Sequence, residues 1–334
     1  MRTGMIEGIA YARAGILGNP SDGYFGKIIA ISVKNFSARV TLQESEKLEI
    51  ESRLEDKESY GSLRELAERT QLYGYYDGVR LIKAALKKFY EYSHAQNISL
   101  RDRNFTIRYE SSIPRQVGLG GSSAIITATM RALMKFFDVR IPLELLPSLI
   151  LSAEREELDI SAGFMDRVTQ VYEGCVYMDL NKAMIREKGH GLYERLNPGL
   201  LPDLYLAYKP SLGKVSGKVL NDIRVRYERG DAFVVGTLRQ LAGLAEIGKD
   251  ALLAGNMEIL FDLMNKNFDL RSQIMTISPA NMEMIDTARR LGASAKFAGS
   301  GGSILGIYKG RAMFDELVAA LGRLEAKVIR PIVA

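Results

Sequence analysis

The spacing of apolar positions changes character along the chain and marks out its elements. Short runs rich in β-branched residues, bordered by Gly, Pro or Asn, predict strands at Gly8–Tyr11, Ile28–Val33 and Ser37–Leu42. Val79, Ile82, Leu86 and Phe89 recur at three- and four-residue steps, which predicts a helix over Asp77–Tyr92. Phe105, Ile107 and Tyr109 alternate, giving a strand at Asn104–Tyr109. A glycine-rich turn at 118–121 then opens a helix running from about Ser122 to Phe137. A further helix near 148–158 and a strand at Gly174–Asp179 complete the first half. The segment Leu196–Leu206, with Pro198, Gly199 and Pro202, reads as a passage between two halves.

Beyond that passage the pattern is mainly helical, at about 216–229, 232–247, 255–268 and 279–291. The last of these begins at Ser278-Pro279 and stops before Gly292, two boundary signals with a backbone rationale. Strands near Ser303–Tyr308 and Ala326–Val333 flank a helix at 311–322. Strands with helices grouped between them predict an α+β chain in two lobes, divided as 1–195 and 196–334.

Composition narrows the function classes. Apolar residues make up 47% and charged residues 25% of the 334, ordinary values for a globular protein. The net charge of +5 is spread along the chain, where a nucleic-acid protein would concentrate it in a patch or stripe, so no nucleic-acid partner is expected. The single Cys175 excludes an intrachain disulfide and fits a reducing cytoplasm, and His94 and His190 alone make a multi-His zinc centre a poor expectation. No run approaches the roughly 20 apolar residues of a membrane span, and the N-terminus MRTGMIEGIAYARAG lacks a signal peptide's apolar core. Neither a membrane partner nor secretion is expected, and the sequence leaves a homodimer open.

The densest chemistry lies in Ile113–Ala124, IPRQVGLGGSSA, between a strand and an amphipathic helix. Gly118, Gly120 and Gly121 let the backbone turn tightly. The first N–H groups of the following helix lack internal partners and, with the helix dipole, favour an anion. Ser122 and Ser123 add hydroxyls at the same end. The segment is not a P-loop, which needs Gly, four residues, then Gly-Lys and Ser or Thr. It is not a dinucleotide fingerprint either, because Ser123 stands where the third glycine belongs. Taken alone it is equally a glycine turn with a serine cap.

Two carboxylates follow. Glu154 lies beside apolar Ala153 on a helix, where a carboxylate is either exposed, paired or bound to a cation. Asp166 follows a turn containing Gly163, a place from which it can position or deprotonate a hydroxyl. Near the N-terminus, Ala12–Gly26 reads as a glycine-rich loop after a strand, holding Arg13, Asn19 and Asp22. Near the C-terminus, Ala295–Ile304 carries Gly299, Gly301 and Gly302 between two apolar runs. Each of these is also readable as a polar turn or a hairpin connection.

The three glycine segments in this order resemble the GHMP kinase superfamily. RAGILGNPSD is similar to its first motif, PRQVGLGGSSA to its second and KFAGSGGS to its third, and the likeness extends from about Ile9 to Ile332. Within the superfamily the strings YARAGILGNPSDGYFG, LSAEREELDISAGFMDRVTQVY and MNKNFDLR, with Gly-His-Gly at 189–191, are most similar to the glucuronokinases. The resemblance implies a ribosomal-protein-like N-terminal domain, a ferredoxin-like C-terminal domain with added helices, and ATP-dependent phosphorylation of the anomeric hydroxyl of D-glucuronate.

Roles follow by the same resemblance. Gly118, Leu119, Gly120, Gly121, Ser122 and Ser123 would hold the ATP phosphates, and Ser123 and Glu154 would bind Mg²⁺. Asp166 would act on the sugar hydroxyl, with Arg13 beside the transferring phosphoryl group. Asn19 and Asp22 would contact the sugar, and Gly299 and Gly301 would close the site. Asn19-Pro20 stands where galactokinases carry a Glu-His pair, which argues against galactose. A sugar acid needs a cation for its carboxylate, and Arg115 and Arg271 are the candidates. Kinases for a heptose phosphate, arabinose or galacturonate, and a non-catalytic sugar or nucleotide sensor, are the alternatives that the sequence leaves open.

Overall fold

The computed structural model describes residues 4–51, 78–100, 103–212 and 216–333. The chain folds as β1 (Ile6–Leu17), β2 (Lys27–Ser45), β3 (Glu49–Ile50), α1 (Gly78–Ala95), β4 (Asn104–Ser111), α2 (Gly121–Phe137), α3 (Leu146–Arg155), α4 (Met165–Tyr172), β5 (Cys175–Asp179), α5 (Lys182–Lys188) and β6 (Leu192–Leu196). There follow β7 (Leu204–Tyr208), α6 (Ser216–Glu228), α7 (Ala232–Leu253), α8 (Met257–Ser272), α9 (Pro279–Arg290), β8 (Lys296–Phe297), β9 (Ser303–Ile307), α10 (Gly310–Arg323) and β10 (Lys327–Ile329). The Tyr73–Tyr76 cluster and Asp77 lie outside the described residues.

The first sheet is organised by β2. Its length lets it pair β1 along one edge while the other edge takes β5 at Lys27–Ile31 and β4 at Ala38–Ser45. The two strands expected at Ile28–Val33 and Ser37–Leu42 are therefore one. Opposite the Tyr11/Ala12 step the register jumps from Ser37 to Val33, so Lys34–Phe36 bulge out of a continuous strand. The bulge ties the C-terminal tail to the first sheet, because Lys34 N donates to Ile332 O at 2.8 Å and Asn35 Nδ2 donates to Arg330 O at 3.1 Å. The second sheet runs β10-β7-β9-β8 and is antiparallel throughout.

Small residues set the close approach of helix and sheet. Ala10, Ala12 and Ala14 of β1 are fully buried, as are Ala124, Ala128 and Ala132 of α2. A Cβ on Gly8 would stand 2.0 Å from Ala128 O, so only glycine permits α2 to lie this near β1. This contact carries the N-terminus of α2 to the end of β1 where Arg13 sits. Similarly, a Cβ on Gly248 of α7 would stand 2.1 Å from Leu17 Cδ1, which seats α7 against the first sheet. Cys175 is buried, and burial pushes its thiol up to about 12, as in an inert core residue. No helix among the described residues is long and apolar enough to cross a membrane.

The structure also adds elements that the apolar pattern does not show. These are β3, α4, α5, β6 and β8, while β7 begins inside the Leu196–Leu206 passage. α5 buries no side chain and so shows no apolar stripe; it is set by Asn181, whose Oδ1 accepts from Ala183 N and Met184 N.

Candidate active site

The site forms on the free edge of β1. Alternate residues of a strand point their N–H groups to the same side. Arg13 N donates to Leu119 O at 3.1 Å and Gly15 N to Ala298 O at 2.7 Å. The second and third glycine segments thus dock side by side on one strand edge. Arg13 lies within β1, not in a loop after it, because β1 runs on to Leu17.

The two glycine segments also touch each other. A Cβ on Gly299 would stand 2.0 Å from Gly118 O, and one on Gly118 would stand 2.8 Å from Gly301 O. Gly118 and Gly120 take φ of 72° and 76°, and Gly301 takes 133°, all unfavourable for a side chain. Ser303 Oγ closes the seam by donating to Val117 O at 2.7 Å. Gly120 caps α2 in the left-handed conformation, and no side chain caps that end. Gly121, Ser122 and Ser123 form the helix's first turn, with the N–H groups and dipole of an anion site.

Asp166 sits in the first turn of α4 and reaches this loop from the other side. Arg13 Nε donates to Asp166 Oδ1 at 2.6 Å, and Arg13 Nη1 donates to Gly118 O. A Cβ on Gly120 would stand 3.3 Å from Asp166 Oδ2, so carboxylate and loop backbone are in contact. Gln170, one turn along α4, donates from Nε2 to Gly120 O at 2.8 Å. That carbonyl also accepts from Ser123 Oγ at 3.0 Å and from Ala124 N at 3.1 Å. These protein contacts by themselves fix the shape of the loop.

Asp22 and Asn19 form a second layer beneath Asp166. Asp22 Oδ2 accepts from Met165 N at 3.1 Å, the N-terminal end of the helix that carries Asp166. A Cβ on Gly163 would stand 1.9 Å from that same oxygen. Burial, then the charge of Asp166, raises the Asp22 pKa; the Met165 N–H and the charges of Arg13 and Arg167 oppose the shift. Asn19 is buried. Its Oδ1 accepts from Lys296 Nζ at 2.7 Å and its Nδ2 donates to Phe297 O at 3.3 Å. Asn267 of α8 brackets it, donating to Asn19 O at 3.2 Å and accepting from Gly18 N at 2.7 Å.

Lys296 is a site residue that sequence reasoning misses. It is fully buried, and burial together with Arg271 and Arg13 lowers its pKa. Its Nζ nevertheless donates to Gly15 O, Asn19 Oδ1 and Phe297 O at 2.6, 2.7 and 2.8 Å. Three acceptors at such distances require three N–H donors, which only the ammonium form has, so we assign the charged form. Its signal in the sequence is a lysine between Ala295 and Phe297, abutting the third glycine segment.

Glu154 is only 1% exposed and is neutralised by Arg167, itself buried, whose Nε and Nη2 both donate to Oε2. Oε1 stays outside that pair. Burial and Arg13 bring the Arg167 pKa down to about 9, with Asp22 acting in the opposite direction. Arg167 and Gln170 are likewise missed by the sequence pattern. Among the described residues no three His, Cys, Asp or Glu side chains group as a metal cage. Arg271 is 1% exposed; its Nη1 donates to Gly299 O at 2.6 Å and its guanidinium lies 5.3 Å from the Phe297 ring centre. It holds the third glycine segment from behind. Arg115 is exposed, three residues before Gly118 of the second glycine segment.

The model of the GHMP kinases N terminal domain matches residues 80–174, and that of the GHMP kinases C terminal domain matches residues 249–325. The chain is 43% identical over 309 residues to Glucuronokinase 1 of Arabidopsis thaliana, covering 91% of this chain and 85% of that protein. Probable glucuronokinase 2 of the same plant is 43% identical over 90% of this chain and 84% of its own. The solved structure of Streptococcus pneumoniae phosphomevalonate kinase with phosphomevalonate and AMPPNP shares the fold, with a TM-score of 0.77 over 98% of this chain and 100% of that one at 15% identity. Similarity of this degree across nearly the whole length, with family models matching in both halves, makes the chain a member of the GHMP kinases.

Proposed function

We propose that the protein phosphorylates the anomeric hydroxyl of D-glucuronate with ATP, giving glucuronate 1-phosphate. The observation that carries the substrate is the 43% identity to glucuronokinases over 85% of the relative's length. The site geometry supports the chemistry. In this reading the first turn of α2 and the backbone of Gly118–Ser123 hold the nucleotide phosphates. Asp166 stands against the loop at Gly120, where it orients the acceptor hydroxyl and takes its proton. Arg13, fixed by Asp166 and Gly118 O, faces the transferring phosphoryl group and stabilises the charge that develops there. Asp22 and Asn19 shape the sugar side, and Gly299 and Gly301 press the third segment onto the loop.

A nucleotide-bound Mg²⁺ fits the donors available. Ser123 Oγ and Glu154 Oε1 would supply one hydroxyl and one carboxylate oxygen, the partial set that Mg²⁺ uses when phosphates and water complete its shell. When bound, the ion offsets charge on the β- and γ-phosphates. The division into domains at 195/196 and a cytoplasmic location belong to the same reading. The decisive experiment is ADP release from Mg²⁺-ATP against glucuronate, galacturonate, glucose, galactose, arabinose and a heptose phosphate. Turnover chiefly with glucuronate is expected. Turnover with another sugar instead moves the acceptor and leaves the phosphoryl-transfer roles in place; turnover with none rejects the reading.

A further inference from the structure

The phosphoryl-transfer roles use Arg13, Asp166 and the glycine loops, and leave open which cation receives the acid group of the sugar. A buried arginine already engaged by protein is a poor receptor for it. Arg271 is such a residue, being 1% exposed and engaged by Gly299 O and Met275 Sδ. Two other arginines approach the Asp22–Tyr24 turn from opposite sides. Arg155, the last residue of α3, is exposed, and both its Nε and Nη2 donate to Ala162 O. Ala162 precedes Gly163, whose Cα abuts Asp22 Oδ2. The Arg155 guanidinium is therefore pinned one residue from the Asp22 carboxylate. From the other half of the chain, the Tyr227 ring of α6 packs on Tyr24 with centres 4.7 Å apart. Arg224 precedes Tyr227 by three residues and shares its helix face.

The charges around this turn are unbalanced at Arg155. Arg224 donates to Glu228 Oε1 at 2.9 Å, a surface i,i+4 pair. Arg155 has no carboxylate within ion-pair distance among the described residues, and its anchoring carbonyl leaves Nη1 unused. Surrounding protein and the nearby positive charge of Arg224 lower its pKa against the pull of Asp22, although solvent reaches the side chain. An exposed guanidinium, oriented by one carbonyl and within electrostatic reach of a second cation, is suited to receive a small anion.

We propose that Arg155, assisted by Arg224, binds the carboxylate of the sugar acid and sets the preference of this kinase for a uronic acid over a neutral sugar. The inference rests on the reading of the protein as a glucuronate kinase and assigns the residues that recognise the acid. Asp22 beside it faces the sugar ring hydroxyls, so the carboxylate end and the anomeric end of the acceptor point to Arg155 and Asp166 respectively.

The test compares D-glucuronate with D-glucuronamide, the same sugar with its charge removed, by kcat/KM in the wild type, Arg155→Met and Arg224→Met. The ratio of the two substrates within one variant is independent of how much enzyme is folded, and thermal melting checks folding separately. The wild type is expected to favour the acid. Arg155→Met is expected to cut the acid-to-amide ratio by roughly 10- to 100-fold, the size of a lost charge-assisted hydrogen bond, mainly through KM for the acid. Arg224→Met is expected to cut it less, since Arg224 is shared with Glu228. A wild type that turns over glucuronate, with an unchanged ratio in Arg155→Met, overturns this assignment alone. A wild type inactive on both sugars rejects the underlying reading, and this assignment with it.

Discussion

Arg13 Nε and Asp166 Oδ1 meet at 2.6 Å across 153 residues of sequence, and Arg13 Nη1 reaches the second glycine segment at Gly118 O from the same guanidinium. One side chain thereby links the carboxylate proposed to act on the acceptor to the glycine loop proposed to hold the donor. Asp166→Asn keeps an oxygen for Arg13 and removes only the charge and the basicity. Turnover is expected to fall by roughly 100- to 10,000-fold, the usual contribution of a positioned base, with little change in KM for ATP. A rate within about fivefold of the wild type would take Asp166 out of the chemistry.

The contact between the second and third glycine segments gives a sharper mutational contrast. A Cβ on Gly299 meets Gly118 O at 2.0 Å and Arg13 Nη1 at 2.7 Å, and neither backbone nor anchored guanidinium yields easily. Gly299→Ala is expected to push the segments apart, raising KM for ATP and lowering kcat together. Gly243, in α7, has nothing within 4 Å of its Cβ position. Gly243→Ala is expected to raise stability by about 0.5–1 kcal/mol through helix propensity alone. Urea unfolding and steady-state kinetics on the pair of variants measure both. Equal kinetic behaviour of the two would show that the loop contact is unimportant.

What the sequence discloses and what it withholds have physical causes. Local patterns carry the helices of the second half well: α9 begins with Ser278 accepting from Asn281 N and ends before Gly292, where φ is 84°, as its boundary residues imply. The glycine segments are legible because glycine is needed wherever backbones touch, and three of them do. The continuity of β2 is not, since Lys34–Phe36 interrupt the alternation without ending the strand. Nor are Lys296 and Arg167 legible as site residues. Lys296 acts on Gly15 and Asn19, 281 and 277 residues away, and no local period encodes such a contact. Glu154 is recognisable as a carboxylate in need of a partner, but the partner, Arg167, is fixed only by how α3 packs against α4.

The Glu154–Arg167 pair separates a structural role from a metal role. Glu154→Gln leaves a buried Arg167 without its hydrogen-bonded carboxylate, with Asp166 Oδ2 at 3.7 Å and the Asp22 charge as weaker partners. Breaking a buried pair by removing one partner costs about 3–5 kcal/mol, so a clear fall in melting temperature is expected. If Oε1 also serves Mg²⁺, the Mg²⁺ concentration for half-maximal rate rises as well. A destabilised variant with an unaltered Mg²⁺ requirement at a temperature where it is folded would confine Glu154 to the ion pair.

Asp22 offers a test that runs on pH. Burial and the charge of Asp166 raise its folded pKa above the ordinary value of 3.8 that an unfolded chain would show. A group with a raised folded pKa binds its proton more tightly in the native state, so its contribution to stability is best at low pH. As pH rises from the unfolded value through the folded one, that contribution is lost, and above both the native state holds a poorly solvated carboxylate. Asn cannot ionise and retains an oxygen for the Met165 N–H. Asp22→Asn is therefore expected to melt higher than the wild type near pH 7, with the gap narrowing as pH falls toward about 4, where the unfolded wild type also takes up its proton. Every other titrating group is common to both proteins, so the difference between their melting curves reports Asp22 together with the groups coupled to its charge. A variant that melts lower at pH 7 would mean that attraction to Arg13 and Arg167 outweighs burial. The same variant is expected to lose affinity for the sugar, so a residue that weakens the fold would be kept for the acceptor it holds.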